Sequence, residues 1–114
     1  MSDAILAKFR AICLALPEAA EKTTWDVQTF RVRDKIFATY GVESGAATAN
    51  FKAPPGVQAI LVGADTARFF VPAYVGHKGW VGVRLDEPVD WVEIETLMRR
   101  SYTLIAPKRL AASI

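Results

Sequence analysis

The chain has 114 residues, 52% of them hydrophobic and 23% charged, enough for one packed core and too short for two. That balance excludes a disordered chain, and no apolar run nears the ~18 residues that a membrane helix needs. Fourteen Lys plus Arg against 12 Asp plus Glu leave a net charge of +2, well short of a strongly basic DNA-binding footprint.

In chain order, the first apolar stretch is interrupted by Asp3, Lys8 and Arg10, so it is expected to be an amphipathic helix and not a signal peptide. The helix should run over 3–16, with Ser2 or Asp3 as cap and Ile5, Phe9, Ile12 and Leu16 on one face; Pro17 ends it. Cys13, the one cysteine, excludes an intramolecular disulfide and a Cys-rich metal site, and among Ile12 and Leu14 it has the setting of a small buried hydrophobe. A cytoplasmic location is the corresponding expectation. "PEAAEKTTWD" follows as a polar link with room for one helical turn.

The period changes to two at Gln28. Phe30 and Val32 share one face, while Thr29, Arg31 and Arg33 share the other. A tight turn is expected near Asp34-Lys35, after which Phe37 lies beside Val32; Asp-Lys is a weak turn signal, so the register can slip by one. "ATANFK" is the third strand, with Phe51 inward and Lys52 outward. Val57, Ile60 and Leu61 mark a short helix ended by Gly63. "ARFFVPAYV" and "GWVGVRLD" are two more strands, the first short, bent or at an edge because of Pro72. The last helix opens on Asp90 and Glu93 as a capping box and presents Trp91, Ile94, Leu97, Met98, Ser101 and Ile105 on one face. The order α-β-β-β-α-β-β-α gives a single α+β domain over 1–114: a two-layer fold with a five-stranded, mainly antiparallel sheet and helices on one face. Trp25 and Trp91 are expected to anchor elements to the core.

Catalytic signatures are sparse. Glycine-rich nucleotide loops, HExxH, CxxC and GxSxG are all missing, and a lone histidine makes a histidine-based metal site in one chain improbable. The expectation is a non-enzymatic domain with no cofactor and no metal. His77 and Lys78, between Gly76 and Gly79 in "YVGHKGWV", are either loop donors to phosphate or an exposed glycine-hinged turn. Trp80 is either a stacking platform on the strand face shared with Gly82 and Arg84 or a boundary tryptophan packed under a helix. Arg31, Arg33, Lys35, Lys52 and Arg84 form either a phosphate-contacting patch or the solvated side of a one-sided sheet.

Five stretches together resemble the MmcQ/YjbR family of small bacterial proteins: "LPEAAEKTTW", "FRVRDKIFA", "FKAPP", "VPAYVGHKGWVGVRL" and "RRSYTLIAPK". The resemblance implies a secretion-chaperone-like two-layer fold of order α-β(3)-α-β(2)-α and a DNA-binding role inferred from a double-wing arrangement. Polar positions matching the family pattern are Lys35, Lys52, His77, Lys78, Trp80, Ser101 and Tyr102. Where relatives often carry glycines, this hairpin turn reads Arg-Asp-Lys, which adds charge that Asp34 partly offsets.

Three functions are weighed. Nucleic-acid binding, to DNA with RNA also open, requires Arg31, Arg33, Lys35, Lys52, Lys78 and Arg84 on one continuous surface, with His77 and Trp80 nearby. A protein- or peptide-binding adaptor requires an exposed apolar patch on the helix-free face or a sheet edge, for example at Phe69, Phe70 and Tyr74. A small-ligand protein or enzyme requires a pocket among Tyr74, His77, Ser101 and Tyr102. No membrane partner is expected.

Overall fold

Alternating burial and tight left-handed turns build a six-stranded antiparallel sheet from the middle of this chain. The computed structural model describes residues 2–43, 45–86 and 88–114, with side chains from Ala4 onward. Helix α1 (Ser2–Leu14) leads into β1 (Ala19–Thr24), β2 (Val27–Val32), β3 (Lys35–Glu43) and β4 (Ala46–Lys52). Then come α2 (Val57–Ala64), β5 (Phe69–Phe70), a 3₁₀ turn (Gly76–Lys78), β6 (Trp80–Arg84), α3 (Trp91–Ile105) and α4 (Lys108–Ala111). The sheet order is β1-β2-β3-β4-β6-β5. The capping role expected of Ser2 or Asp3 lies outside the described side chains.

The sheet has six strands, not five, and the order of elements changes with it. Residues 19–24, expected to be a polar link, form edge strand β1, paired with β2 from Ala19↔Val32 to Thr24↔Val27. An edge strand has one neighbour and covers little core, so half-buried and exposed polar residues suffice. Its hairpin closes through Trp25 and Asp26, both left-handed at φ 54° and 63°. This two-residue geometry normally announces itself as Asn-Gly.

The next turn also differs from expectation. It is Arg33-Asp34, at φ 51° and 65°, and β3 starts at Lys35. A bulge follows: Arg31 pairs with Ile36 but Phe30 pairs with Ala38, so Phe37 is the extra residue. Both Phe37 and Ala38 are fully buried. Ser101 on α3 holds this irregular backbone. Its hydroxyl donates to the Phe37 carbonyl (2.6 Å) and accepts from the Lys52 N–H (2.9 Å).

One face of the sheet carries the core. Phe30, Val32, Tyr40, Phe51, Val81 and Val83 are buried there with Phe9 from α1 and Ile94, Met98 and Tyr102 from α3. The Phe9 ring meets Phe30 edge-on at 5.5 Å, and Phe37 meets Tyr102 edge-on at 5.4 Å. Each large apolar side chain sealed this way contributes about 1.5–3 kcal/mol. Tyr102 donates to the Pro17 carbonyl at 2.7 Å, and burial raises its phenol pKa, so it stays a donor. Cys13 is fully buried, and burial, with Glu21 second, pushes its thiol pKa up.

The capping box on α3 is half formed. Asp90 accepts from the Glu93 N–H at 3.1 Å, while the Glu93 carboxylate pairs with Arg68 instead. On α2, Val57 and Leu61 pack against the core, but Ile60 is exposed, and Gly63 lies inside the helix rather than ending it. Trp91 packs against the core with the Lys8 ammonium 5.7 Å above its ring. Trp25 does not anchor anything: it is 93% exposed at the tip of the first hairpin. No described helix is long and apolar enough to cross a membrane.

Candidate functional site

The helix-free face is lined by the alternate residues of the same strands. Cross-strand register places Thr29 beside Thr39, Thr39 beside Asn50, and Asn50 beside Gly82, with Lys52 paired to Trp80. Over this surface folds the segment 71–79. Pro72 cuts β5 to two residues, Tyr74 turns left-handed at φ 68°, and Gly79 at φ 83° returns the chain to β6. Gly76 is required for space, because a Cβ there would lie 2.4 Å from Val71 Cγ1. From α2, the Gln58 amide donates to the carbonyls of Gly76 (2.8 Å) and Trp80 (2.7 Å), pinning the loop at two points.

Between loop and sheet lies a cleft of about 580 Å³. Its walls include Arg31, Lys35 and Lys78, the rings of Tyr74 and Trp80, and the apolar side chains of Val27 and Ile36. Asp34 borders it and reaches the Arg31 guanidinium at 3.4 Å with a largely exposed carboxylate, while the same guanidinium donates to the hydroxyls of Thr29 (3.1 Å) and Thr24 (3.5 Å). Asn50 also lines the cleft, and its Oδ1 is buried with no hydrogen-bond partner. Such an orphan acceptor costs about 1–3 kcal/mol. A smaller hollow of about 190 Å³ adjoins the cleft and shares Val27, Thr39 and Asn50 with it. Its far rim is Trp25, Asp26 and Glu43.

The expected site residues therefore separate. Arg31, Lys35, Lys78, Trp80 and Tyr74 are brought together at the cleft. Trp80 is not under a helix: it is largely buried on the helix-free face, beneath the loop. Lys52 is half-buried at the end of β4 opposite Trp80 and does not line the cleft. His77 is exposed and outside its lining. Arg33 departs altogether. As a turn residue it leaves the strand face and forms a two-pronged pair with Glu18 (2.5 and 3.2 Å), which holds the Glu18 carboxyl below its usual range. Arg84 stays on the helix-free face but lies 4.8 Å over the Phe70 ring and donates to the Ala67 carbonyl. The single surface required of all six cations is thus not formed.

Ser101 and Tyr102 belong to the helix-covered side, engaged with Phe37, Lys52 and Pro17, and converge with neither Tyr74 nor His77. Phe69 is buried and Phe70 is half-buried under Arg84, so of the three aromatics proposed for an adaptor patch only Tyr74 is free. The sequence pattern singled out neither Asn50 nor Gln58, and it assigned Trp25 to the core rather than to an exposed hairpin tip. Only Trp25 carried a signal, as a tryptophan between the threonines of one segment and the alternation of the next.

A two-layer α+β domain with a lidded cleft on its bare sheet face is the class that this geometry defines. The YjbR family model matches residues 14–104, and the chain belongs to the MmcQ/YjbR family. Among solved structures it is similar to a DUF419-domain protein, DR2400, of Deinococcus radiodurans. That match has a TM-score of 0.78 at 23% identity, covering 87% of this chain and 76% of that one. A structural-genomics protein from Pseudomonas syringae matches with a TM-score of 0.63 at 19% identity, covering 77% of this chain and 87% of that one. Both likenesses concern the fold. No curated protein matches the chain.

Proposed function

We propose that this domain is a non-enzymatic nucleic-acid-binding module that takes an unpaired segment of strand in the cleft, and not a duplex along a broad basic surface. One observation carries this reading: three cations, Arg31, Lys35 and Lys78, line the same open cleft as Tyr74 and Trp80. Binding of single strands combines cationic contacts to the backbone with rings on which bases stack. A duplex reader needs a longer run of cations on one surface, and here Arg33 and Arg84 lie outside the cleft lining.

The adaptor reading keeps one point in its favour. The trough is cationic at the Tyr74 end and acidic at the Asp26 and Glu43 end, a polarity that a peptide could also match. Titration of labelled single- and double-stranded DNA and RNA across salt concentrations decides between them. Single strands should bind more tightly than duplex of equal length, with affinity falling as salt rises. Failure of every nucleic acid to bind at low salt would remove the proposal and leave the peptide reading.

A further inference from the structure

We propose that Trp25 is a second stacking platform, so that the site extends from the cleft along the trough to the first hairpin and holds an unpaired strand at both ends. The inference rests on the nucleic-acid reading above. Three observations converge on it. The two hollows share Val27, Thr39 and Asn50, so the cleft adjoins the hollow at the hairpin rim, and the two together make the trough. At its ends stand the two most exposed aromatic side chains, Tyr74 at 94% and Trp25 at 93%. Both sit on left-handed backbone, at φ 68° and 54°.

A large ring on left-handed backbone costs the fold about 1–2 kcal/mol, and a fully solvated ring recovers none of this by packing. Glycine or asparagine would close the same turn more easily. The tryptophan therefore does nothing for the hairpin that a smaller residue would not do better. What it supplies is a flat apolar surface held above the end of a trough. Asp26 and Glu43 beside it disfavour phosphate at this end. A base is thus expected against Trp25, with the backbone charge kept near Arg31, Lys35 and Lys78.

The test measures binding of labelled dinucleotides and hexanucleotides to the full chain and to Trp25→Gly and Trp25→Phe. The short ligand, filling the cleft alone, should bind all three proteins equally. The longer one should bind Trp25→Gly about tenfold more weakly and Trp25→Phe nearly as well as the parent. Trp25→Gly should melt at or above the temperature of the parent; a lower melting temperature would mean that the ring serves the fold and would overturn the inference. Equal hexanucleotide affinity for parent and Trp25→Gly would overturn this inference while leaving the nucleic-acid reading intact. Absence of binding by the parent would overturn both.

Discussion

On the helix-covered face of the sheet, Phe30, Phe51, Val81 and Val83 are sealed from water, and the buried Ser101 hydroxyl has both a donor and an acceptor for partners. On the other face of the same strands, Asn50 keeps an unpaired buried carbonyl, three cations crowd one cleft, and two rings stand in solvent on left-handed backbone. The first face is explained by folding alone. The second carries features that each cost stability, and costs of that kind concentrate where a protein binds something. Strand alternation puts Asn50 one position from Phe51 and Arg31 one position from Phe30.

Substitutions on the two faces should therefore separate stability from binding. Phe51→Ala should have the largest effect, a loss of about 3–5 kcal/mol in urea unfolding, because its neighbours on the sheet and α3 cannot collapse into the space. A loss below about 1 kcal/mol would show that this face is not the tightly packed one. Ser101→Ala comes next, at about 1–3 kcal/mol, since it strands the Phe37 carbonyl and the Lys52 N–H together. The bulge in β3 should then show faster amide exchange than the rest of the sheet.

The double change Lys35→Ala and Lys78→Ala, at two exposed residues of the cleft, should leave unfolding within about 0.5 kcal/mol of the parent. It should nonetheless weaken oligonucleotide binding and flatten its salt dependence by roughly 0.7 for each phosphate that is no longer neutralised. Unchanged binding would break the contrast between the faces. The smallest effect concerns Glu18, whose pKa is depressed by Arg33. Its stabilisation is present above the unfolded glutamate pKa and fades as the pH falls through the lower folded value. Arg33→Ala should remove that part of the acid sensitivity, seen as a shallower fall in melting temperature on acidification. The pair is largely exposed, so added salt should blunt the difference.

Much of the helix-covered face was legible in the sequence. The alternation of Phe30 with Val32, the inward Phe51 and the periodic stripe of α3 all report burial directly. β1 was hidden because an edge strand of Ala, Glu, Lys and Thr has no hydrophobic alternation to reveal it. Arg33 was misplaced because Arg-Asp is a poor signature for a left-handed turn, and one residue of slip moves a side chain from sheet to turn. At the cleft, the pairing of Trp80 with Lys52 and the meeting of Arg31 with Lys78 depend on β6 lying beside β4 and on a loop crossing the sheet. No local pattern encodes either arrangement. Asn50 is the extreme case, since an asparagine in a strand says nothing of its partners until its neighbours are known.

Cys13 gives the molecule an internal clock. Its single thiol, on α1, is fully buried and is kept protonated by its surroundings, so a thiol reagent can reach it only when that packing opens. The rate of labelling thus counts openings, free of interference from any other cysteine. A ligand that binds only the closed form should slow the count in proportion to its occupancy. Affinity for the trough could then be read from the opposite side of the sheet, with no label near the site itself.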